Sequence, residues 1–376
     1  MPFFHARLFS RIIAKSREVY LLKIISLAVA FAASTLVGLF ALNEFGYDRF
    51  HNDHASIFRL LQRNNAETYS GNRLSNRIPP EALSKLKAET GDSMVLSRVK
   101  LMSELSIISP RGIFNDQRVH AADAAITKIF SFDILDGSLI DFDPQRQAVI
   151  ISCSTAQKFF GDRHAAGTKI KITALGDTLL FTVAAVYNDF PENTHEAFNI
   201  FIAFNSLSVN ALQFNPDDAG VYGRVFPPAP FFEDWVSPAE KDEMVYRFQP
   251  ISEIYFGPAV IGDNAKHGDR YSIIILICIT ALIFFLALTS FINLTTLTLP
   301  NRAKELAVKK LAGTSQWDLV KTFAKESFAI VAIALILGLG LLLLTSPLTE
   351  PILSINFISL LLKGDFFLIL ILAGLF

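Results

Sequence analysis

Two groups of residues in this chain have types and spacings that could do chemistry. Asp189, Glu192, His195 and Glu196 crowd into one short stretch, a density of carboxylate and imidazole that could hold a metal or divide acid and base roles. Asp48, His51, Asp53 and His54 form the second group, where the three-residue step between the histidines could set two imidazoles on one helical face. Both have plainer readings, which we favour. The first group follows a β-rich run inside a Pro/Asn turn and reads as a solvated loop; the second reads as a juxtamembrane surface helix. No spacing typical of a catalytic motif or a metal site accompanies either group. No G-x-x-x-x-G-K-[ST] loop occurs, so the chain has no phosphate cradle of its own. We therefore predict no catalytic residue, no metal and no cofactor held by this chain; if ATP is used, another subunit binds it.

The elements that must position these residues are mostly apolar. Of 376 residues, 51% are hydrophobic and 18% charged, with a mean hydropathy of +0.39. The apolarity comes in blocks: Ile24 to Leu42, Ile273 to Leu299 and Phe328 to Leu344 hold 19, 27 and 17 residues without a formal charge. A helix needs about 20 residues to cross about 30 Å of hydrocarbon, so each block predicts a span. Phe366 to Phe376 is apolar over only 11 residues and reads as the start of a truncated fourth span, so the chain is expected to be part of a longer protein. A signal peptide is the alternative at the N-terminus, with Ala30-Phe31-Ala32 as the cleavage site, but apolar residues continue to Leu42 and favour an anchor.

Lys and Arg in short flanks set orientation. Arg7, Arg11, Lys15, Arg17 and Lys23 precede the first span, and Arg302, Lys304, Lys309, Lys310, Lys321 and Lys325 lie between the second and third. Both flanks are predicted to be cytoplasmic. Residues 43–270 then lie outside, with 22 Lys plus Arg against 29 Asp plus Glu, a net of −7, which argues against nucleic acid as a ligand. The predicted organisation is a cytoplasmic amphipathic segment 1–19, span 20–42, exterior domain 43–270, span 272–299, cytoplasmic loop 300–322, span 323–345, external loop 346–365 and the fourth span from 366. Cys153 and Cys278 fall on different sides of a membrane boundary, so no internal disulfide is expected.

The exterior region carries no linker or repeat that divides it. Pro79-Pro80-Glu81 opens a helix with Leu83 and Leu86 on one face. Ala148 to Ser152 reads as a buried strand, Thr155 to Phe160 as a short helix stopped by Gly161, and Lys169 to Thr173 and Leu179 to Tyr187 as strands. The fold class is therefore membrane α-helical spans plus an extracytoplasmic mixed α/β (α+β) domain, N-terminus cytoplasmic. Residues 203–235 give no clear pattern.

The cytoplasmic loop is patterned. Arg302 to Leu311 reads as a helix with Glu305 and Lys309 paired at i,i+4 and a narrow apolar face of Leu306, Ala307 and Leu311. Gly313 fits the left-handed position that ends such a helix. Ser315 and Asp318 have the spacing of a capping box that opens the next one. Pro300 is expected to kink the end of the second span. Attachment to lipid headgroups is one reading of such a helix; docking on a cytoplasmic motor is the other. Thr280, Thr289, Ser290, Asn293, Thr295, Thr296 and Thr298 in the second span are expected to face a neighbouring helix, and no Asp, Glu, Lys, Arg or His lies within the three uncharged blocks, against an ion-coupled transporter.

In combination these pieces resemble the MacB/FtsX-type permeases of ABC transporters, in their Bacteroidetes-type form. Gln147 to Ser152, Ala156 to Asp162, Gly167 to Ile170 and Phe181 to His195 are similar to the family's periplasmic core domain; Phe45 to His51, Ile57 to Arg59 and Phe248 to Tyr255 resemble its flanks. Ser290 to Leu294, Arg302, Glu305, Lys309, Leu311 to Gly313 and Glu326-Ser327 resemble its membrane domain and coupling loop. The resemblance implies a permease in a bacterial inner membrane, multi-pass, with its large domain in the periplasm. It implies a cytoplasmic ATP-binding subunit dimer that carries ATP and Mg, a second permease copy or related permease, membrane lipid, and a periplasmic adaptor with an outer-membrane channel as partners. Arg302, Glu305, Lys309, Leu311 and Gly313 are carried over as the ATPase contact, and Asn43, Tyr47, Phe50 and Tyr271 as stalk or lever positions. Such a subunit transmits ATP-driven motion to expel extracytoplasmic cargo such as an antibiotic, peptide or lipoprotein. The alternatives are an FtsX-like regulator that activates a periplasmic partner such as a cell-wall hydrolase without transport, and a membrane-anchored enzyme.

Overall fold

The computed structural model describes residues 17–63, 74–102, 105–115, 117–143, 146–174, 177–204, 219–226, 235–236 and 245–353. The predictions for most of 1–19, for most of the external loop and for the fourth span lie outside these residues. Two compact units result: residues 46–268, and residues 1–45 with 269–376.

The second of these units is helical. α1 (Arg17–Phe45), α6 (Arg270–Leu311) and α7 (Gln316–Leu353) are each long and apolar enough to cross a membrane. α1 packs against both α6 and α7. Leu27, Ala28, Phe31 and Ala334 form the buried seam. A Cβ on Gly338 would lie 2.8 Å from the Ala28 carbonyl oxygen, so only glycine lets the α7 backbone come this close, the small-residue packing of helices that have no hydrophobic drive to associate.

Two expectations are corrected here. Arg302 to Leu311 is no separate helix: α6 runs unbroken through Pro300 to Leu311. Proline removes one backbone bond there without ending the helix, a tolerance general in membrane-spanning helices. α7 continues past Thr345 to Leu353 and takes in the first part of the expected external loop. Of the span's polar side chains, Thr280 and Thr298 are buried as expected, whereas Thr289 and Thr296 are exposed. Thr289 and Thr296 donate to the carbonyls of Phe285 and Ile292, both at 2.9 Å.

Residues 46–268 fold around one mixed sheet. Its strands are β1 (Ile57–Arg63), β2 (Leu74–Ser75), β3 (Met94–Met102), β4 (Ser106–Ser109), β5 (Gly112–Phe114), β6 (Val119–Ala122), β7 (Ile134–Gly137), β8 (Ala148–Ser152), β9 (Lys169–Ala174), β10 (Asp177–Tyr187), β11 (Ile200–Ala203), β12 (Gly220–Val225), β13 (Trp235–Val236) and β14 (Val245–Pro250). The order is β13-β14-β1-β12-β3-β6-β11-β8-β10-β9-β4-β5, with β2 on β1 and β7 on β10. Pairing is antiparallel except for β8 with β10 and β6 with β11. The undivided region is thus a single sheet, and the mixed α/β reading holds.

The short helices α2 (Pro80–Thr90), α3 (Ile126–Ile129), α4 (Cys153–Phe160) and α5 (Ile251–Ile254) pack against it. β8 shows why a continuous apolar run was needed: Val149 and Ile151 join one core with Ala156 and Phe159 of α4, whereas Ala148 and Ile150 join another with Ile126 and Ile129 of α3. Both faces of the strand are covered. α2 buries Leu83 and Leu86 in a third core, as its Pro-Pro start and apolar spacing predict. α4 is capped by the Ser152 side chain and closed by Gly161 at φ +79°. Cys153 and Cys278 are free thiols.

Candidate functional sites

The α6–α7 end of the helical unit is a tight turn between two long helices. α6 ends at Leu311, the Ala312 amide donates to the Val308 carbonyl at 3.0 Å, and Gly313 takes φ +86°. No atom lies within 4 Å of where a Gly313 Cβ would stand. α7 is then started by Ser315, whose Oγ accepts the Asp318 amide at 3.2 Å and donates to Asp318 Oδ2 at 2.8 Å. The shorter Asp takes the cap hydroxyl itself, where a Glu would reach the cap amide. Val308, Leu311, Trp317 and Val320 all stand exposed around this turn. Sequence spacing brought Leu311 and Gly313 to notice; it missed Trp317, whose signal was a large aromatic just past a predicted helix start. Arg302, Glu305 and Lys309 lie on the last turns of α6.

Near the start of α7 the three helices share polar side chains. Tyr20 Oη of α1 donates to Glu326 Oε1 of α7 at 2.6 Å. Lys23 is buried with its ammonium over the Tyr20 and Phe291 rings, 5.1 and 5.8 Å from the centroids. Thr295, Thr298 and Ser327 line a small cleft beside them.

The two chemical groups of the sequence meet in the exterior domain, where the solvated-loop reading holds for Asp189 and Glu192 but not for His195 and Glu196, and the surface-helix reading is overturned. Asp48, His51, His195 and Glu196 are buried. Residues 47–53 form turns and bends rather than a surface helix, with Asp48 and Asp53 in left-handed backbone conformation, a region Asp tolerates better than most residues. The Asp189 to Glu196 loop divides: Asp189 and Glu192 are exposed, and Asp189 accepts Ser154 N at the start of α4.

Asp48 Oδ1 is the focus. It accepts the Thr194 hydroxyl at 3.0 Å, the His195 amide at 3.1 Å and His195 Nδ1 at 2.9 Å. His195 Nε2 lies 2.9 Å from the Tyr222 hydroxyl on β12. Burial pushes the Tyr222 phenol well above its ordinary value. Glu196 reaches His120 Nε2 on β6 at 2.9 Å. Burial alone would raise this carboxyl, but the His120 bond and charge, with His195 and Arg118, hold it below the usual carboxylate value.

Neighbouring anchors hold the same region. Tyr47 stacks on Tyr255 with centroids 3.5 Å apart and planes at 12°. His51 accepts the Ser131 amide at Nδ1, 3.3 Å, and stacks on Phe130; burial lowers its pKa to about 3, so it is neutral. Phe50 packs on Phe190. Arg59 on β1 donates to Gln249 Oε1 at 2.8 Å and Asp263 Oδ1 at 2.9 Å. Of the four lever positions, Tyr47 and Phe50 belong to this cluster. Asn43 lies half-buried on the last turn of α1 and Tyr271 is exposed on the first turn of α6. No group of three or more His, Cys, Asp or Glu side chains among the described residues is arranged to hold a metal.

Comparison with known proteins fits both units. The chain belongs to the MacB/FtsX-like permeases of ABC transporters: the MacB-like periplasmic core domain family matches residues 21–229 and the FtsX-like permease C-terminal family matches 277–376. It is thus an ABC transporter permease subunit, a transmembrane protein with an extracytoplasmic domain. A permease-protein domain from Porphyromonas gingivalis aligns at TM-score 0.39 and 15% identity over 60% of this chain and 99% of that one. The periplasmic region of MacB from Actinobacillus actinomycetemcomitans aligns at 0.33 and 10% over 46% and 76%. The extracellular domain of the ABC-type transporter YknZ from Gram-positive bacteria aligns at 0.32 and 20% over 45% and 83%. No curated protein sequence matches the chain.

Proposed function

We propose that this subunit carries ATP-driven motion from a separate cytoplasmic ABC ATPase dimer, which holds ATP and Mg, to its exterior domain, and so expels extracytoplasmic cargo. The observation that carries the reading is the length of α6. It has 42 residues, which at 1.5 Å each make a rod of about 63 Å, roughly twice the hydrocarbon thickness. A single hydrogen-bonded helix of that length can pass displacement at its Leu311 end to its Arg270 end without a joint between. In this reading the N-terminus and the α6–α7 turn are cytoplasmic, the membrane is the bacterial inner membrane, and the subunit works beside a second permease copy, with a periplasmic adaptor and an outer-membrane channel further out. Leu311 and Trp317 supply the apolar part of the motor contact, and Arg302, Glu305, Lys309 and Gly313 are its further positions.

Gentle purification of the full-length reading frame from its native membrane, with measurement of ATP hydrolysis, tests this. Co-purification of an ATP-binding protein is expected, and charge reversal at Glu305 or Lys309 should weaken that association more than membrane insertion. A stably folded subunit with no such partner would shift the reading to a regulator of an exterior protein.

A further inference from the structure

The turn Asn193-Thr-His-Glu196 is bonded to both ends of the exterior domain's chain. The incoming strap, residues 46–54, follows Phe45, the last residue of α1. It is held by the Asp48 amide to the Asn193 carbonyl at 3.0 Å, by Asn193 Nδ2 to the Gly46 carbonyl at 3.1 Å, and by the three donors on Asp48 Oδ1. The outgoing strap, residues 255–268, precedes Asp269 and the start of α6. It is held by the Lys266 amide to the His195 carbonyl at 2.6 Å. The same turn reaches the sheet at two strands, through His195 to Tyr222 of β12 and through Glu196 to His120 of β6. Tyr255, which stacks on Tyr47, accepts the Gly268 amide at its carbonyl, so the straps also meet away from the turn.

From this arrangement we infer that the 193–196 turn is a transmission joint, and that Asp48 and His195 are positioning residues which make the two straps and the sheet move as one body. The inference rests on the proposed mechanotransmission and adds the element that receives the motion. Each span is joined to the domain through a strap of turns and irregular backbone; unless the straps are locked to the sheet, displacement of α1 or α6 would be taken up by strap bending. The lock is placed where that loss would occur. Its geometry suits the task, because one buried carboxylate oxygen that takes three donors ties three groups to a single point, and loss of that carboxylate leaves buried donors without a partner.

The experiment uses the full chain with its co-purified ATPase in lipid nanodiscs and reads hydrogen exchange of the exterior domain with and without ATP and vanadate, alongside ATP hydrolysis. In the unaltered protein, nucleotide trapping is expected to change exchange in the exterior domain. Asp48→Ala should keep hydrolysis and the slow exchange of the β8, β10 and β11 amides, while the nucleotide-dependent change drops by roughly threefold or more. Asn193→Ala deletes a single bond to the incoming strap and cannot unfold three cores; it should give a smaller drop in the same direction. A full-size response in both variants would overturn the joint while leaving mechanotransmission intact. Absence of any response in the unaltered protein would overturn mechanotransmission itself, and the joint with it.

Discussion

His51 and Arg59 show two ways a polar side chain is accommodated in the exterior domain, with different consequences. His51 is held neutral, its pKa lowered from 6.5 to about 3 chiefly by burial. Its depressed folded value means that the unfolded chain binds a proton the folded one refuses. The resulting stability is complete above pH 6.5 and declines as pH falls toward about 3, with a limiting slope of about 1.4 kcal/mol per pH unit for one proton. Glu196 and Asp263, both held below the ordinary carboxylate value, add their own losses only at lower pH. Between pH 6.5 and 5 the decline therefore belongs largely to His51 among these three groups. His51→Gln keeps an acceptor for Ser131 and should flatten the slope in this window, measured by denaturant unfolding of the full chain in detergent; an unchanged slope would refute the assignment. Arg59 is instead paired, with side-chain exposures of 2% and 6% across its contact with Asp263. Asp263→Ala leaves a buried guanidinium without its counter-ion and should cost about 3 kcal/mol or more. Arg59→Met with Asp263→Leu should recover most of this, since well-packed apolar pairs often replace buried ion pairs without loss.

Helix and strand packing brings glycine into play where backbones approach. Gly338 lets α7 meet Ala28 and Ala32 of α1. Gly338→Leu should force the two helices apart, at about 1–3 kcal/mol, seen as a lower aggregation temperature in detergent; Gly340→Leu, where a Cβ meets nothing within 4 Å, should be nearly silent. Elements of this kind were largely readable in the sequence. Ala148 to Ser152 and Lys169 to Thr173 declare themselves because burial on two faces or one leaves a direct imprint on consecutive residues. The joint was not readable, because its parts are far apart: Asp48 and His195 are 147 positions distant, and only the sheet order brings their loops together. A turn rich in Asn, Asp and Pro is ordinarily solvated, and nothing local distinguishes buried His195 from exposed Asp189. The continuity of α6 through Pro300 was missed for the opposite reason, since a local rule about proline gave way to the stability of a long apolar helix.

At the scale of the whole molecule, the proposed path begins at a turn with no structural slack. Gly313 sits at φ +86° with open space around its missing side chain, so a substitution there is opposed by backbone conformation alone and not by a clash. Gly313→Val puts a β-branched residue in the left-handed region, a strain of about 1–3 kcal/mol, relieved most easily by rotating the end of α6 against the start of α7. None of the residues in the three exterior cores belongs to this turn, so the domain's slow-exchanging amides should be unaffected. What should change is the fit of Leu311 and Trp317 to the motor. ATP-dependent activity is expected to fall severalfold in Gly313→Val, and less in Gly313→Asn, because asparagine tolerates the left-handed conformation. The order glycine, asparagine, valine follows from backbone preference and not from side-chain size, which separates this account from simple crowding at the contact. Full ATP-dependent activity in the valine variant would remove the turn from the path.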